Sequence, residues 1–116
     1  MNEKIMQILR ECGVPAHVNG YNYIKSAIKR CIDDKNILVR GVTKELYPAL
    51  AKEFGSTASR VERGIRHAIE ISFNNMRPVT IDKLFGNSVS YSRGKATNAQ
   101  FIATLAEYLR QEVATV

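Results

Sequence analysis

Apolar residues recur along this chain at intervals of three to four positions, a spacing typical of amphipathic α-helices. Short polar or glycine-containing breaks divide the pattern into about six helical segments. They run from Asn2 to Gly13, Tyr21 to Ile32, Thr43 to Phe54, Thr57 to Asn75, Thr80 to Phe85 and Thr97 to Val113. The nearest approach to a strand-like alternation, Ser88 to Tyr91, is four residues long. The pattern therefore predicts an all-α fold.

The third and fourth predicted helices are joined by a turn of two residues, Gly55 and Ser56. Ala51 lies four residues before the glycine, and Val61 lies six residues after it. A small residue at position 51 lets the second helix approach, Gly55 supplies a permissive backbone, and Val61 closes the corner between the helices. This spacing predicts a helix-turn-helix, although Gly64 occupies a corner position that is usually apolar.

The second helix of this pair has a basic outer face. Opposite its apolar stripe lie Ser59, Arg60, Glu62, Arg63, Arg66 and His67. Arginine side chains bind guanine edges or phosphates, and a carboxylate accepts a hydrogen bond from cytosine. The alternative is a solvated charged face, stabilised by about a few tenths of a kcal/mol through the Glu62 and Arg66 pair. The arginines cluster in the N-terminal half of the helix, where recognition helices meet base edges, and this favours DNA binding.

Length and charge agree with a single nucleic-acid-binding domain. The chain has 116 residues, 45% of them hydrophobic and 24% charged, which is an ordinary globular composition. Its net charge is +6, and residues 57–95 carry seven basic residues against three acidic ones. A basic excess suits a polyanionic partner, although surface solvation alone also explains it.

Other classes of function lack their usual motifs. Cys12, Cys31, His17 and His67 do not have the close spacing of a zinc site, and the two cysteines fall on apolar stripes, which is typical of core residues in a reducing cytoplasm. No nucleophile elbow, phosphate-binding loop or dinucleotide fingerprint occurs. No signal peptide or membrane-spanning run is present either. We therefore predict a cytoplasmic protein with no enzymatic activity, metal, cofactor or membrane partner.

Three stretches, Gly13 to Ile28, Val42 to Phe54 and Ser56 to Glu70, resemble the C-terminal DNA-binding domain of the stage 0 sporulation protein A family. The resemblance continues through Leu84 to Gly86 and Thr97 to Ala103, so it covers nearly the whole chain. It implies that residues 1–116 form one compact six-helix effector domain with a winged-less helix-turn-helix. It also implies a transcription regulator that reads TGTCGAA-like boxes in double-stranded DNA by placing the helix 57–75 in the major groove.

Site roles follow from the same resemblance. It implies that Arg60, Glu62 and Arg63 read bases, while Arg66 and His67, with Ser59 on the same face, contact the DNA backbone. Arg93 and Lys95, in the predicted polar loop 87–95, are further candidates for phosphate contacts because the basic excess extends into it. The family also implies head-to-tail tandem dimers on DNA and a contact with an RNA polymerase sigma subunit, here through Phe85 and Gly86.

Three departures from the family pattern add expectations. The phosphoacceptor receiver domain that precedes the effector domain is expected to be absent, and with it control by phosphorylation. Gly64 replaces an alanine, which predicts a looser recognition helix because glycine costs about 1 kcal/mol in a helix interior. The segment Asn74 to Gly86 keeps Phe85 and Gly86 but otherwise differs. A receiver-less interaction module, or an antagonist that occupies boxes or pairs with a full-length regulator without activating polymerase, therefore stays open as the alternative function.

Overall fold

A computed structural model describes residues 1–86 and 94–114 of the chain, and within them every regular element is helical. These described residues contain seven α-helices: α1 (Asn2–Glu11), α2 (Asn19–Asp33), α3 (Ile37–Arg40), α4 (Tyr47–Phe54), α5 (Ala58–Asn75), α6 (Pro78–Leu84) and α7 (Asn98–Ala114). The predicted all-α class is confirmed. The helix count exceeds the prediction because the four-residue α3 is too short to show a periodic pattern.

The predicted helix from Thr43 to Phe54 consists of two parts. A π-helical turn, Val42–Leu46, leads into α4, and the N–H of Tyr47 donates to the carbonyl of Val42. Pro48 lies in the first turn of α4 and has no N–H to donate to a preceding carbonyl. The π-helical turn therefore connects to α4 at the point where Pro48 prevents one regular α-helical hydrogen bond.

Helix α2 lies at the centre of the domain and packs against α1, α4, α5 and α7. These helices form one hydrophobic core. Its largest fully buried side chains are Ile5, Leu9, Ile24, Ile28, Leu46, Leu50, Ile65, Ile69, Phe101, Ile102, Leu105 and Leu109. Cys12 and Cys31 are also buried and unpaired, as the apolar pattern predicted, and burial raises the pKa of their thiols to about 12 and about 11.

Local capping bonds fix the two helix starts that matter most for the candidate site. Oγ1 of Thr57 accepts from the N–H of Arg60 at 3.1 Å and caps α5. Thr97 and Gln100 form the predicted reciprocal capping box, with bonds of 2.9 and 3.2 Å between each backbone N–H and the other side chain. Each of these two helices therefore begins at a position set by hydrogen bonds between residues three positions apart.

The far end of α5 is held by its contacts with the turn after α1. Ser72 is fully buried, and its hydroxyl donates to the carbonyl of Cys12 at 2.6 Å. The amide of Asn75 donates to the carbonyl of Gly13 at 3.3 Å.

In residues 1–86 and 94–114, no helix combines the length and apolar character needed to cross a membrane.

Candidate nucleic-acid interface

The predicted helix-turn-helix is formed by α4, a short turn and α5. Gly55 ends α4 in the left-handed conformation, with φ 60° and ψ 42°, which glycine adopts without the strain a side chain would add. The carbonyl of Ala51 accepts from the N–H groups of both Gly55 and Ser56. Val61 is fully buried at the corner. Gly55 and Val61 therefore occupy the roles predicted from their spacing, and the backbone of Ala51 adds two hydrogen bonds to the turn.

Helix α2 supports this turn from behind. The hydroxyl of Tyr23 donates to Oγ of Ser56 at 3.2 Å, and the Tyr23 ring packs edge-on against Phe54 with 5.3 Å between centroids. Nearby, Glu53 of α4 accepts hydrogen bonds from Ser26 at 2.6 Å and from Arg30 at 2.8 Å. Burial opposes ionisation of Glu53, but these two donors outweigh it and lower the pKa of the carboxyl. The approach of α4 to α2 is thus fixed by polar as well as apolar contacts.

The outer face of α5 is exposed over its first half, and helix geometry spreads the residues from 59 to 67 over about 12 Å. The exposed side chains are Ser59, Arg60, Arg63, Arg66 and His67. Nη2 of Arg63 donates to Oγ of Ser59 at 3.1 Å. Among residues 1–86 and 94–114, the side chain of Arg60 has no hydrogen-bond or ion-pair partner. The face therefore presents guanidinium donors toward solvent, which suits phosphate oxygens and base edges.

Glu62 lies at the edge of this face and not at its centre. Its side chain is 34% exposed, and Oε1 accepts from Nη1 of Arg66 at 3.0 Å. The amide of Asn98, at the start of α7, donates to the backbone carbonyl of Glu62 at 3.2 Å and to the hydroxyl of Tyr47 at 3.0 Å. Burial raises the pKa of Tyr47. Asn98 thus joins both helices of the helix-turn-helix to α7.

Sequence reasoning missed the part that Asn98 and Tyr47 play. Asn98 is separated from Glu62 by 36 residues and from Tyr47 by 51 residues. Helical periodicity reports only neighbours three or four positions apart. No pattern in a single sequence indicates such a contact, although the capping box at Thr97 did predict where α7 begins.

Two predicted phosphate contacts follow α6 in the chain: Lys95 belongs to the described residues and Arg93 does not. Nζ of Lys95 lies 2.7 Å from Oε1 of Glu70, in the second half of α5. This hydrogen bond lowers the pKa of the Glu70 carboxyl. The Lys95 charge is therefore partly balanced within the protein. Arg93 and most of the predicted polar loop fall in residues 87–93, outside the described residues.

Phe85, predicted to contact a sigma subunit, has its ring in the core and not on the surface. It is 4% exposed and packs against Phe101, with 5.5 Å between ring centroids, and against Phe73, with 5.2 Å. Gly86, the other residue of that prediction, is exposed with a φ of 50°. The sigma contact at Phe85 and Gly86 stays a prediction, and the sequence alone did not indicate that the ring of Phe85 is buried.

The surroundings of the helix-turn-helix include a cleft but no cluster of metal-binding side chains among the described residues. Across residues 1–86 and 94–114, no three histidine, cysteine or acidic side chains are close enough to hold a metal ion. A cleft of about 390 Å³ lies between α4, α5 and the start of α7, and Tyr47, Glu62, Arg66 and Lys95 are among its lining residues. The cleft therefore lies beside the exposed face of α5.

A known protein family matches most of the chain. The family described as Sporulation initiation factor Spo0A C terminal matches residues 5–109 of the 116-residue chain. The matched range includes the whole helix-turn-helix, the exposed face of α5 and the contacts made by Asn98. The resemblance seen in the sequence is confirmed.

Proposed function

The chain belongs to the Spo0A C-terminal family, which comprises DNA-binding effector domains and not enzymes, and on this premise we propose a sequence-specific regulator of transcription that binds double-stranded DNA. One observation carries the proposal. The first half of α5 exposes Arg60 and Arg63 on the outer face of a helix-turn-helix, where a recognition helix meets base edges. Such a protein acts on DNA in the cytoplasm.

In this proposal α5 lies in the major groove, and its exposed residues divide into two groups. Arg60, Glu62 and Arg63 read base edges in TGTCGAA-like boxes. The backbone group consists of Ser59, Arg66, His67, Arg93 and Lys95. Arginine forks pair with guanine, and the Glu62 carboxylate accepts from the amino group of cytosine, both of which occur in such a box. Two members of the backbone group, Arg66 and Lys95, already have acidic partners in the protein.

The partners proposed beyond one DNA box are a second copy of this chain and RNA polymerase. Two copies would bind tandem boxes head to tail. A sigma subunit would contact the segment around Phe85 and Gly86, where Gly86 is exposed and the ring of Phe85 is buried. A transcription assay with purified polymerase distinguishes an activator from an antagonist, since the antagonist occupies its box without raising transcript levels.

The test of the proposed function is a comparison of two labelled duplexes by fluorescence anisotropy. A duplex with a TGTCGAA-like box is expected to bind about tenfold or more tightly than a scrambled duplex of the same composition. Its affinity should fall steeply with salt, because each neutralised phosphate adds about 0.9 to the slope of log K against log salt. Equal affinities for the two duplexes would reject sequence readout.

Two arginine variants add a matched comparison. Arg63→Ala is expected to weaken binding to the box by about 1–3 kcal/mol and to relax the preference at one base pair. Arg10→Ala removes the same charge from an exposed position on α1, remote from the first half of α5, and should leave the base preference unchanged. Identical base profiles for Arg63→Ala and the unmodified chain would remove Arg63 from the base-reading group.

A further inference from the structure

Glu62 is held at both its backbone and its carboxylate. Nη1 of Arg66 lies 3.0 Å from Oε1 of Glu62, and the amide of Asn98 donates to the Glu62 carbonyl at 3.2 Å. The two side chains of the ion pair differ in exposure, with Glu62 34% exposed and Arg66 53% exposed. Arg66 therefore covers one side of the Glu62 carboxylate while part of that carboxylate still faces solvent.

A carboxylate that enters the major groove meets an unfavourable electrostatic field. Duplex DNA carries one negative charge per about 1.7 Å of helix axis, and these charges repel Glu62. A guanidinium in contact with the carboxylate offsets part of that repulsion and limits the rotamers that Glu62 can adopt. Among the described residues, Arg66 is the cation in contact with Glu62, since Arg63 donates to Ser59.

Arg66 thus has two possible partners on DNA, a phosphate or Glu62, and these imply different consequences. A phosphate contact adds affinity for every sequence and contributes to the salt dependence. A contact with Glu62 adds discrimination at the one base pair that Glu62 reads. The folded protein already forms the second contact without DNA, at hydrogen-bond distance and one helical turn apart.

We infer that Arg66 is a positioning residue for base readout by Glu62, and that it determines specificity through that carboxylate and not through a phosphate. The inference rests on the proposed function, in which Glu62 reads a base, and it replaces the backbone contact proposed there for Arg66. Without Arg66, the carboxylate is repelled by the phosphates and turns away from the base. Discrimination at one base pair then falls while the preferences at the other positions remain.

The experiment measures binding of the full chain to a TGTCGAA-like duplex and to a panel in which each base pair is replaced in turn. Arg66→Ala is expected to reduce discrimination by about fivefold or more at one base pair, the same one that Glu62→Gln affects. Arg66→Lys keeps a cation near Glu62 and should restore part of the lost discrimination. His67→Ala changes the next exposed residue of the same face and should weaken all duplexes alike.

Two outcomes would overturn the inference. One is a uniform loss of affinity across the panel for Arg66→Ala, with the salt slope lowered by about 0.9, which identifies a phosphate contact. The other is found by adding Arg66→Ala to the Glu62→Gln variant. If Arg66→Ala changes the base preferences there as much as it does in the unmodified chain, Arg66 does not act through the Glu62 carboxylate. Circular dichroism establishes that each variant is folded before binding is compared.

Failure of this inference differs from failure of the proposed function. If the unmodified chain binds every duplex in the panel equally, sequence readout is rejected and the role of Arg66 falls with it. If the unmodified chain discriminates and Glu62→Gln relaxes one position while Arg66→Ala does not, the proposed function stands and the positioning role is rejected.

Discussion

Gly20 of α2 and Gly64 of α5 meet where the two helices cross, and a methyl group on Gly20 would overlap the carbonyl oxygen of Gly64. The same methyl group would lie 2.7 Å from Cβ of Ala68. Among the helices of the described residues, α2 and α5 share the most extensive contact. The missing side chain at position 20 therefore sets how closely the candidate recognition helix rests on the core.

Gly20→Ala is expected to lower the free energy of unfolding by about 1–3 kcal/mol, because the obstacle is backbone and the helices must move apart. Gly20 is the second residue of α2, outside the helix interior where alanine gains about 1 kcal/mol over glycine, so helix propensity offsets little of this loss. Urea denaturation measures the difference. Asn22→Ala, at an exposed position of the same helix, is the control and should change stability by less than about 0.5 kcal/mol. A stabilised Gly20→Ala variant would contradict this account of the crossing.

Gly64→Ala is expected to have a smaller effect, within about 1 kcal/mol of the unmodified chain. The added methyl group would lie 3.0 and 3.1 Å from Cε2 and Cδ2 of Tyr23, and a ring can tilt where a backbone cannot. The gain in helix propensity then opposes the crowding. Thermal and urea unfolding of this variant beside Gly20→Ala test the difference. A loss as large as that of Gly20→Ala would mean that Tyr23 is held rigidly by Phe54 and Ser56.

The sequence predicted those parts of the fold that depend on neighbours within about one helical turn. Thr57 caps α5 through a residue three positions away, and Thr97 and Gln100 pair over the same distance. Contacts between distant residues were not predictable in this way. Ser72 lies on the buried side of α5, yet nothing in its surroundings along the chain indicates that it donates to Cys12, 60 residues away.

The candidate site divides along the same line. Periodicity predicted which residues of α5 face outward, and the exposure of Arg60, Arg63 and His67 agrees with it. The pairing of individual side chains also depends on rotamers and on neighbouring helices, which a period cannot specify. Glu62 therefore lies at the edge of the face, beside α7, and Lys95 pairs with Glu70. In the sequence, Glu62 and Lys95 look like ordinary exposed charges.

Asn98→Ala is expected to destabilise the domain by about 1–2 kcal/mol, because the half-buried amide makes two hydrogen bonds to two other helices. Tyr47→Phe removes one of the two acceptors and serves as the partner in a double-mutant cycle. If the amide–hydroxyl bond contributes, the double variant should lose less stability than the sum of the single variants. Strictly additive losses in urea denaturation would show that this bond contributes nothing measurable.

Phe85→Ala is expected to lower the free energy of unfolding by about 3–5 kcal/mol, the usual loss for a buried phenylalanine. The ring packs between Phe73 and Phe101, and its removal leaves a cavity at the junction of α5, α6 and α7. Val79→Ala is the matched control, since Val79 is 63% exposed on α6 and should change stability by less than about 0.5 kcal/mol. Similar unfolding midpoints for the two variants would contradict the burial of Phe85.

The two buried thiols should make the domain less stable in alkaline solution. Burial raises the pKa of Cys12 from 9.0 to about 12 and that of Cys31 from 9.0 to about 11. Between pH 9 and the raised pKa of each thiol, the folded protein keeps a proton that the unfolded chain releases. Each thiol therefore lowers the free energy of unfolding by up to about 1.4 kcal/mol per pH unit in that range. Below pH 9 both states keep the proton, and the thiols have no such effect. Urea unfolding of Cys31→Ala and the unmodified chain from pH 8 to 10.5 isolates one thiol, because lysine and tyrosine titrations are common to both. The variant should lose stability less steeply above pH 9, and parallel curves would contradict the raised pKa of Cys31.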